Sequence, residues 1–340
     1  MLVETVVDEE FIKEMSMYRQ KPEGKGLLEA CSDNVILFSE YMLGMRLYSW
    51  QVFFLNKLQN SCMNNNDIKE FLALTSRQIG KSTAVAVLAL WACTFNKKPG
   101  TMHNNTIVGV ISATDVQAKK LLHEVKKLIK AGDKFMELTY KDAEGESRFG
   151  KKFFTNLLDD KEPNNTTTIT FKAHKPDTHG VLLLNGSNSG SVIKSYPPTD
   201  SVLGETFTIV IEDEAGKSDK ISDQFHYEYV YPTGNSTNAL RVYTSTPWIT
   251  SGFFYRLADP NDEYIDHPAD RVMFTIDAIR IENPEYYQNV YDKTIMQMNR
   301  DGKTDEVQRA YYCRFVKGDA VYFNPDKVRE VFTTEYSLLD

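Results

Sequence analysis

The sequence has no surplus of positive charge: 39 Lys and Arg stand against 47 Asp and Glu, a net of −8. That argues against a protein that coats nucleic acid statically, because phosphate neutralisation supplies most of the affinity of such binders. A protein that grips and releases nucleic acid in turn is not excluded. Cysteine is sparse, with Cys31, Cys62, Cys93 and Cys313 scattered and no Cys-x-x-Cys spacing. A disulfide framework is therefore not indicated, and free thiols in a reducing compartment are expected. The six histidines offer no His-Glu-x-x-His spacing, and His174 and His179 read as polar loop residues rather than a metal site. Long apolar runs are also missing: the longest, residues 84–93, is about half the length a membrane span needs. Residues 1–10 mix apolar and acidic side chains without a basic start, so no secretory signal is read there and a cytosolic protein is expected. The sequence shows neither an internal repeat nor a low-complexity tract.

What is present is an ordinary globular balance, 41% hydrophobic and 25% charged, with length for one large α/β domain or two modest ones. The 19 Phe and 18 Tyr predict dense aromatic packing. Residues 9–47 read as largely helical, with Val35, Phe38, Met42 and Met45 at helical spacing near the end. Residues 60–67 read as an asparagine-rich loop. An apolar strand at 71–74 then passes through a loop at 75–80 into a helix from Lys81 to about Phe95. A second buried-type strand covers 107–111. Thr114, with Gln117 three residues on, reads as the capping box of a helix ending near Lys130. The polar stretch 133–166 reads as an insertion, followed by β-rich pieces at 168–171, 181–184 and 192–195. Core strands are expected at 206–211 and 240–244. Strands alternating with helices predict a mainly parallel sheet covered on both faces. From about Tyr255 the pattern changes: a lone strand at 272–276 precedes helices at 284–300 and 304–315, which read as a small lid subdomain.

Thr75-Ser76-Arg77-Gln78-Ile79-Gly80-Lys81-Ser82-Thr83 is a degenerate phosphate loop. It carries the second half of the signature GxxxxGK[ST], while Thr75 stands where the first glycine is usual. Its context supports it, since the loop leaves an apolar strand and opens a helix. Backbone N–H groups of Ser76, Arg77, Gln78 and Gly80 and of the helix N-terminus would offer partial positive charge to phosphates. Lys81 would reach the β- and γ-phosphates, Ser82 would ligate Mg²⁺ and Thr83 would touch the α-phosphate. The alternative is an ordinary strand–turn–helix that contains Gly-Lys-Ser by chance.

Residues 208–215, Thr-Ile-Val-Ile-Glu-Asp-Glu-Ala, form a hydrophobic strand ending in carboxylates, at the edge where an open α/β fold places its ligand. Asp213 would hold the Mg²⁺ shell and Glu214 would polarise the attacking water. Glu212-Asp213 could replace Asp213-Glu214, though the order Asp-Glu-Ala after the strand favours the second register. A solvated acidic loop is the alternative. A third signal is Thr244-Ser245-Thr246-Pro247 at the end of the strand near 240. Hydroxyls beside a γ-phosphate can sense its loss, although such clusters are also common turns.

The order of these motifs resembles one family, the large terminase subunit of tailed phages and related viruses, over about residues 48–315. The most specific likeness is the loop Ser76-Arg77-Gln78-x-Gly80-Lys81-Ser82. Asp213-Glu214-Ala215 resembles the family's second motif. Thr244-Ser245-Thr246-Pro247, followed by Gly252-Phe253-Phe254-Tyr255, resembles its coupling motif. Gln51, preceded by Tyr48, resembles the glutamine that recognises adenine, Arg77 the arginine that contacts the γ-phosphate, and residues 308–315 the tail of the lid. The resemblance implies an α/β P-loop NTPase of the ASCE type, a mainly parallel sheet with flanking helices. The ATPase core would span 1–254, the lid 255–318, and a linker toward a nuclease domain 319–340. It implies an ATP- and Mg²⁺-dependent motor that moves double-stranded DNA into a procapsid in the host cytoplasm. Implied partners are transiently bound DNA, a capsid portal protein, a small terminase subunit and further copies of the chain in a ring, with no membrane. The family's RNase H-like nuclease is expected to lie outside this sequence. One departure is Leu203-Gly204, where the family often carries Arg-Gly, which puts a trans-acting arginine at that place in doubt.

Further candidates carry two readings each. Lys119, Lys126 and Lys130 share a helix face that could track DNA or simply be solvated. Trp50, Phe53 and Phe54 could stack on adenine or fill the core. Two other functions compete: a superfamily-2-type helicase, which would need a second ATPase-like domain with an arginine finger, and a regulatory module that binds ATP without turnover. Lys81, Asp213 and Glu214 argue against the second.

Overall fold

The fully buried strands between residues 70 and 245 belong to one sheet. The structure, a computed structural model, describes residues 4–63, 69–100, 104–176, 182–217, 219–259 and 269–315, with the backbone alone at 174–176 and 182–189. The side chain of His174, the whole of His179 and the expected linker at 319–340 fall outside what it describes, and the His174 backbone lies in a strand where a loop was expected.

The N-terminal third is helical: α1 (Glu9–Met17), α2 (Leu27–Asp33), α3 (Val35–Tyr41) and α4 (Ser49–Met63). The expected helical stretch at 9–47 is thus three short helices. Asn34 divides two of them, because its side chain accepts from Ile36 N at 2.8 Å and Leu37 N at 3.1 Å and so starts α3 afresh. Then come β1 (Glu70–Thr75), α5 (Lys81–Thr94), β2 (Ile107–Ser112), α6 (Asp115–Thr139) and α7 (Phe153–Asn156). The remaining strands are β3 (Thr168–Pro176), β4 (Leu182–Tyr196), β5 (Ile209–Asp213), β6 (Leu240–Ser245) and β7 (Ala269–Phe274). Helix α8 (Phe253–Ala258) precedes β7, and α9 (Asp277–Glu282), α10 (Pro284–Tyr287), α11 (Lys293–Arg300) and α12 (Thr304–Tyr312) follow it.

The seven strands run in the order β3-β4-β2-β5-β6-β1-β7, and all neighbours are parallel except β3 with β4. Strands β1, β5 and β6 are buried at every residue, as a parallel sheet covered on both faces requires. Helix α5 is buried except at Ser82 and Thr83, which is why its sequence is apolar all round. The four cysteines are free and buried, and burial pushes the thiols of Cys31 and Cys62 up to about 12, so these are unreactive core residues.

Several elements differ from expectation for tertiary reasons. The pieces expected at 181–184 and 192–195 belong to one strand, β4. The strand expected to stand alone in the lid, β7, pairs with β1 along its length and forms an edge of the main sheet, because Phe274 packs into the core between Trp50 and Phe53. Helix α6 continues nine residues past Lys130 to Thr139. Gly132 and Asp133, just past the expected end, are both buried. Asp133 accepts from Phe154 N at 2.6 Å, Thr155 N at 3.2 Å and Thr155 Oγ1 at 2.5 Å, capping α7, and Phe154 covers Gly132. The expected insertion is therefore rooted in the core, where Phe154 meets Phe38 edge to face at 5.9 Å.

A Cβ at Gly132 would stand 2.5 Å from the Phe154 ring and 2.9 Å from Leu43. Gly132→Val should destabilise the chain by about 1–3 kcal/mol through overpacking. Urea unfolding measures this, and a midpoint equal to that of the unaltered chain would show that α7 does not pack as described.

Candidate active site

Parallel strands bring their carboxyl ends to one edge, and the register fixes what meets there. Ser112 pairs with Asp213, Asp213 with Thr244, and Leu74 with Ser245. Strand β6, which ends in Thr244 and Ser245, thus separates β1, which feeds the phosphate loop, from β5, which delivers the carboxylates.

The phosphate loop is held from two sides. From α4, Trp50 Nε1 donates to Ile79 O at 3.2 Å and Gln51 Nε2 to Gly80 O at 2.9 Å, while Gln51 Oε1 accepts from Tyr48 N at 2.8 Å. From the C-terminal elements, Phe274 O accepts from Ser76 N at 2.9 Å and Ala310 O from Arg77 N at 2.8 Å. Tyr291, on a π-helical turn (Gln288–Asp292), donates its hydroxyl to Gln78 O at 2.9 Å. Gln78 and Gly80 both have positive φ, 63° and 94°. Backbone held in such regions is a cost that tends to collect at functional sites. The φ of Gly80 favours glycine, and a Cβ there would also press on the Gln51 amide at 2.7 Å.

Beyond the loop, the first residue of α5 points its ammonium at the acidic pair. Lys81 Nζ lies 3.1 Å from Asp213 Oδ1 and donates to Glu214, which Lys217 also approaches at 3.4 Å. Burial alone would lower the Lys81 pKa, but the two carboxylates outweigh it and hold it above the ordinary lysine value. Burial alone would raise Glu214, but Lys81 and then Lys217 outweigh it and hold its pKa below the ordinary carboxylate value. Glu214 has φ +60°, a strained conformation that turns its side chain back into the site. Thr244 Oγ1 donates to Asp213 Oδ1 at 2.8 Å and Ser245 Oγ to Thr246 O at 2.7 Å. Ser82, Thr83, Asp213 and Glu214 form one wall of a cleft of about 480 Å³, and Gln117, Lys120, His123 and Glu124 of α6 form the other.

The structure therefore brings Lys81, Ser82, Thr83, Asp213, Glu214 and Thr244 together. Ser76 is fully buried, with its hydroxyl 3.3 Å from Ala310 O, and so packs behind the loop. Arg77 and Gln78 are exposed, and the Arg77 guanidinium has no partner among the described residues. Glu212 takes no part: it lies on the opposite face of β5 against His226, so in this fold Asp213-Glu214 is the pair at the edge. Trp50 and Phe54 are core residues. Lys119 is paired with Asp115 at 2.6 Å and Lys126 donates to Asn165 O at 2.5 Å, whereas Lys130 is exposed. Leu203 is exposed on a loop. Sequence reasoning missed Lys217, the α6 wall and Ser112, whose buried hydroxyl has no partner among the described residues. Ser112 had a readable signal, being a hydroxyl at a strand end, but Lys120 and His123 look like any solvated helix residues.

The family model described as terminase large subunit, T4likevirus-type, N-terminal, matches residues 72–329, more than half of the chain. The chain belongs to this family. It is accordingly a DNA-packaging motor ATPase of the P-loop class, and the helicase and regulatory-module readings are not favoured. No curated relative matches the sequence. Among solved structures, the ATPase domain of the Thermus phage P74-26 large terminase superimposes with a TM-score of 0.51 at 18% identity, over 82% of this chain and 97% of that one. The bacteriophage HK97 large terminase gives 0.54 at 14%, over 83% and 54%. The large terminase of a thermophilic bacteriophage, in complex with ADP, gives 0.50 at 12%, over 79% and 54%. Identities this low establish a shared fold only, and this terminase chain spans about half the length of the last two. Among the described residues, no helix is long and apolar enough to cross a membrane.

A carboxylate whose folded pKa is depressed stabilises the fold above its unfolded value, about 4.3 for Glu, and loses that contribution as pH falls through the lowered value. The stability gap between this chain and its Glu214→Gln variant should stay level from about pH 8 to 5 and narrow below about pH 4. Urea unfolding across that range measures it, and a gap that stays level in acid would mean that Lys81 does not hold Glu214.

Proposed function

We propose that this chain hydrolyses ATP with Mg²⁺ at the carboxyl edge of its sheet and uses the cycle to move double-stranded DNA into a procapsid. The observation that carries the reading is Lys81, just after the phosphate loop, held between Asp213 and Glu214 with Thr244 bonded to Asp213, beside the cleft that Ser82, Thr83, Asp213 and Glu214 line.

The residues fit the nucleotide by charge and donor type. The α5 N-terminus, the loop amides and Lys81 supply positive potential for the phosphates. Ser82 and Asp213 border the same cleft and offer a hydroxyl and a carboxylate, the hard oxygen donors that Mg²⁺ takes beside phosphate oxygens. When bound, the ion neutralises charge on the phosphates and helps orient them. Lys81 is paired with both carboxylates; a triphosphate would compete for its ammonium and leave Glu214 to accept a proton from water. That water attacks the γ-phosphorus, its proton passes to Glu214, and ADP departs as the bridging bond breaks. Arg77, exposed on the loop, stabilises the charge that develops, as arginines do in other NTPases. Loss of the γ-phosphate changes what surrounds Asp213, and Thr244, bonded to it, carries that change into β6 and the segment Thr244-Ser245-Thr246. Gln51 braces Gly80 and keeps one N–H and one lone pair for an adenine edge.

In this reading residues 1–254 form the ATPase core and 255–318 the lid, with β7 contributed back to the core sheet. The assembled motor would be a ring of this chain docked on a capsid portal, with a small terminase subunit and DNA as transient partners, in the host cytoplasm.

Lys81→Ala should abolish nucleotide binding, and Glu214→Gln should retain binding but lose about 10²–10⁴-fold in turnover. Calorimetry and a steady-state phosphate-release assay measure the two. Normal turnover in Glu214→Gln would remove the proposed base, and ATP hydrolysis without DNA uptake by procapsids would remove the motor. Gln51→Ala should raise KM for ATP more than for GTP in the same assay; equal rises would leave Gln51 as a loop brace alone.

A further inference from the structure

Glu212, the carboxylate that β5 turns away from the cleft, makes a buried contact that the hydrolytic scheme leaves unused. It precedes Asp213, so strand alternation sends it to the opposite face of the sheet. There Glu212 and His226 are each 1% exposed. A carboxylate only accepts, so His226 Nδ1 donates to it, at 2.9 Å from Oε1 and 3.2 Å from Oε2. His226 sits on a π-helical turn (Phe225–Val230), a conformation that recurs at functional sites. Its ring lies flat on Phe253, with centroids 3.7 Å apart and planes within 1°. Phe253 is the first residue of α8, the helix that follows Thr244-Ser245-Thr246. Asp223, just before the π-helical turn, pins the same helix end, accepting from Phe253 N at 2.6 Å and from Arg256 at 2.7 Å.

We propose that Glu212, His226 and Phe253 form a second mechanical link between the hydrolysis site and α8, running behind the sheet in parallel with the route from Asp213 through Thr244. The inference rests on reading the cleft as an ATP site. Glu212 and Asp213 share one planar peptide unit, so a displacement of Asp213 on nucleotide binding moves Glu212 with it. On the far side Glu212 meets a close-packed interior of low compressibility, which passes the displacement on instead of absorbing it. The first group in its path is His226, and the next is Phe253. Glu212 and His226 are positioning residues, since neither lines the cleft.

The test is hydrogen–deuterium exchange of the full chain, with and without AMP-PNP and Mg²⁺, read at the phosphate loop and at α8, with affinity measured by calorimetry. In the unaltered chain, nucleotide should change exchange at both places, at α8 by about fivefold or more. His226→Asn keeps a donor toward Glu212 but loses the ring, and His226→Phe keeps the ring but loses the donor. Both should bind AMP-PNP within about threefold of the unaltered chain, respond normally at the phosphate loop, and lose the response at α8. Phe253→Leu, which leaves Glu212 and His226 in place, carries the same expectation should the histidine variants fold poorly. Glu212→Gln, whose amide oxygen still accepts from Nδ1, should keep the α8 response. A response at α8 that survives in all three link-breaking variants, or is missing from the unaltered chain despite tight binding, would overturn the link while leaving the ATP site intact. No binding by the unaltered chain would overturn the ATP-site reading, and the link with it.

Discussion

The ammonium of Lys81 and the carboxylate of Asp213 are buried together at the sheet edge, with the half-buried carboxylate of Glu214 beside them. A buried ion without a partner costs on the order of several kcal/mol to desolvate. Their mutual pairing is what allows any of them to be there. It also makes the site ready for a polyanion, since the same cation that now satisfies two carboxylates can be drawn to phosphates. The positions of all three depend on elements far apart in sequence: α5 begins at Lys81 because Gly80 accepts a left-handed conformation, and β5 ends at Asp213 because Glu214 does the same.

The rest of the fold keeps those two turns in place. Strand β6 lies between β1 and β5 and offers Thr244 to Asp213, so the residue expected to report on the nucleotide is also part of the wall that spaces the loop from the acids. The phosphate loop is clasped by α4 on one side and by Phe274, Tyr291 and Ala310 on the other. Arg309, beside Ala310 on α12, lies 4.3 Å over the ring of Trp248, just past the coupling segment. One C-terminal helix therefore touches both the loop that would bind phosphates and the segment that would sense them. This is the arrangement a motor needs if changes at the nucleotide are to reach other parts of the chain.

The sequence by itself determined the elements whose chemistry is local. Residues 71–74 and the end of the strand expected at 206–211, Ile209-Val210-Ile211, are apolar beyond what a half-exposed strand tolerates, so buried strands were expected there. Gly80-Lys81-Ser82 follows one and Asp213-Glu214 ends the other, and parallel pairing brings both strand ends to the same edge. Thr114 as a helix cap was readable for the same reason, because it bonds Gln117 N only three residues away. Tertiary structure decided whatever depends on a partner distant in the chain. The helix read as ending near Lys130 continues to Thr139 because Phe154 covers Gly132, and Phe154 N and Thr155 take up the Asp133 carboxylate. Strand β7 reads as part of a lid until β1 supplies its ladder. Between Glu212 and Glu214 the residue order favoured Glu214 but, with three adjacent acids, left Glu212 open. What separates the two in space is strand alternation together with His226, fourteen residues away, which gives Glu212 a buried donor on the face opposite the cleft.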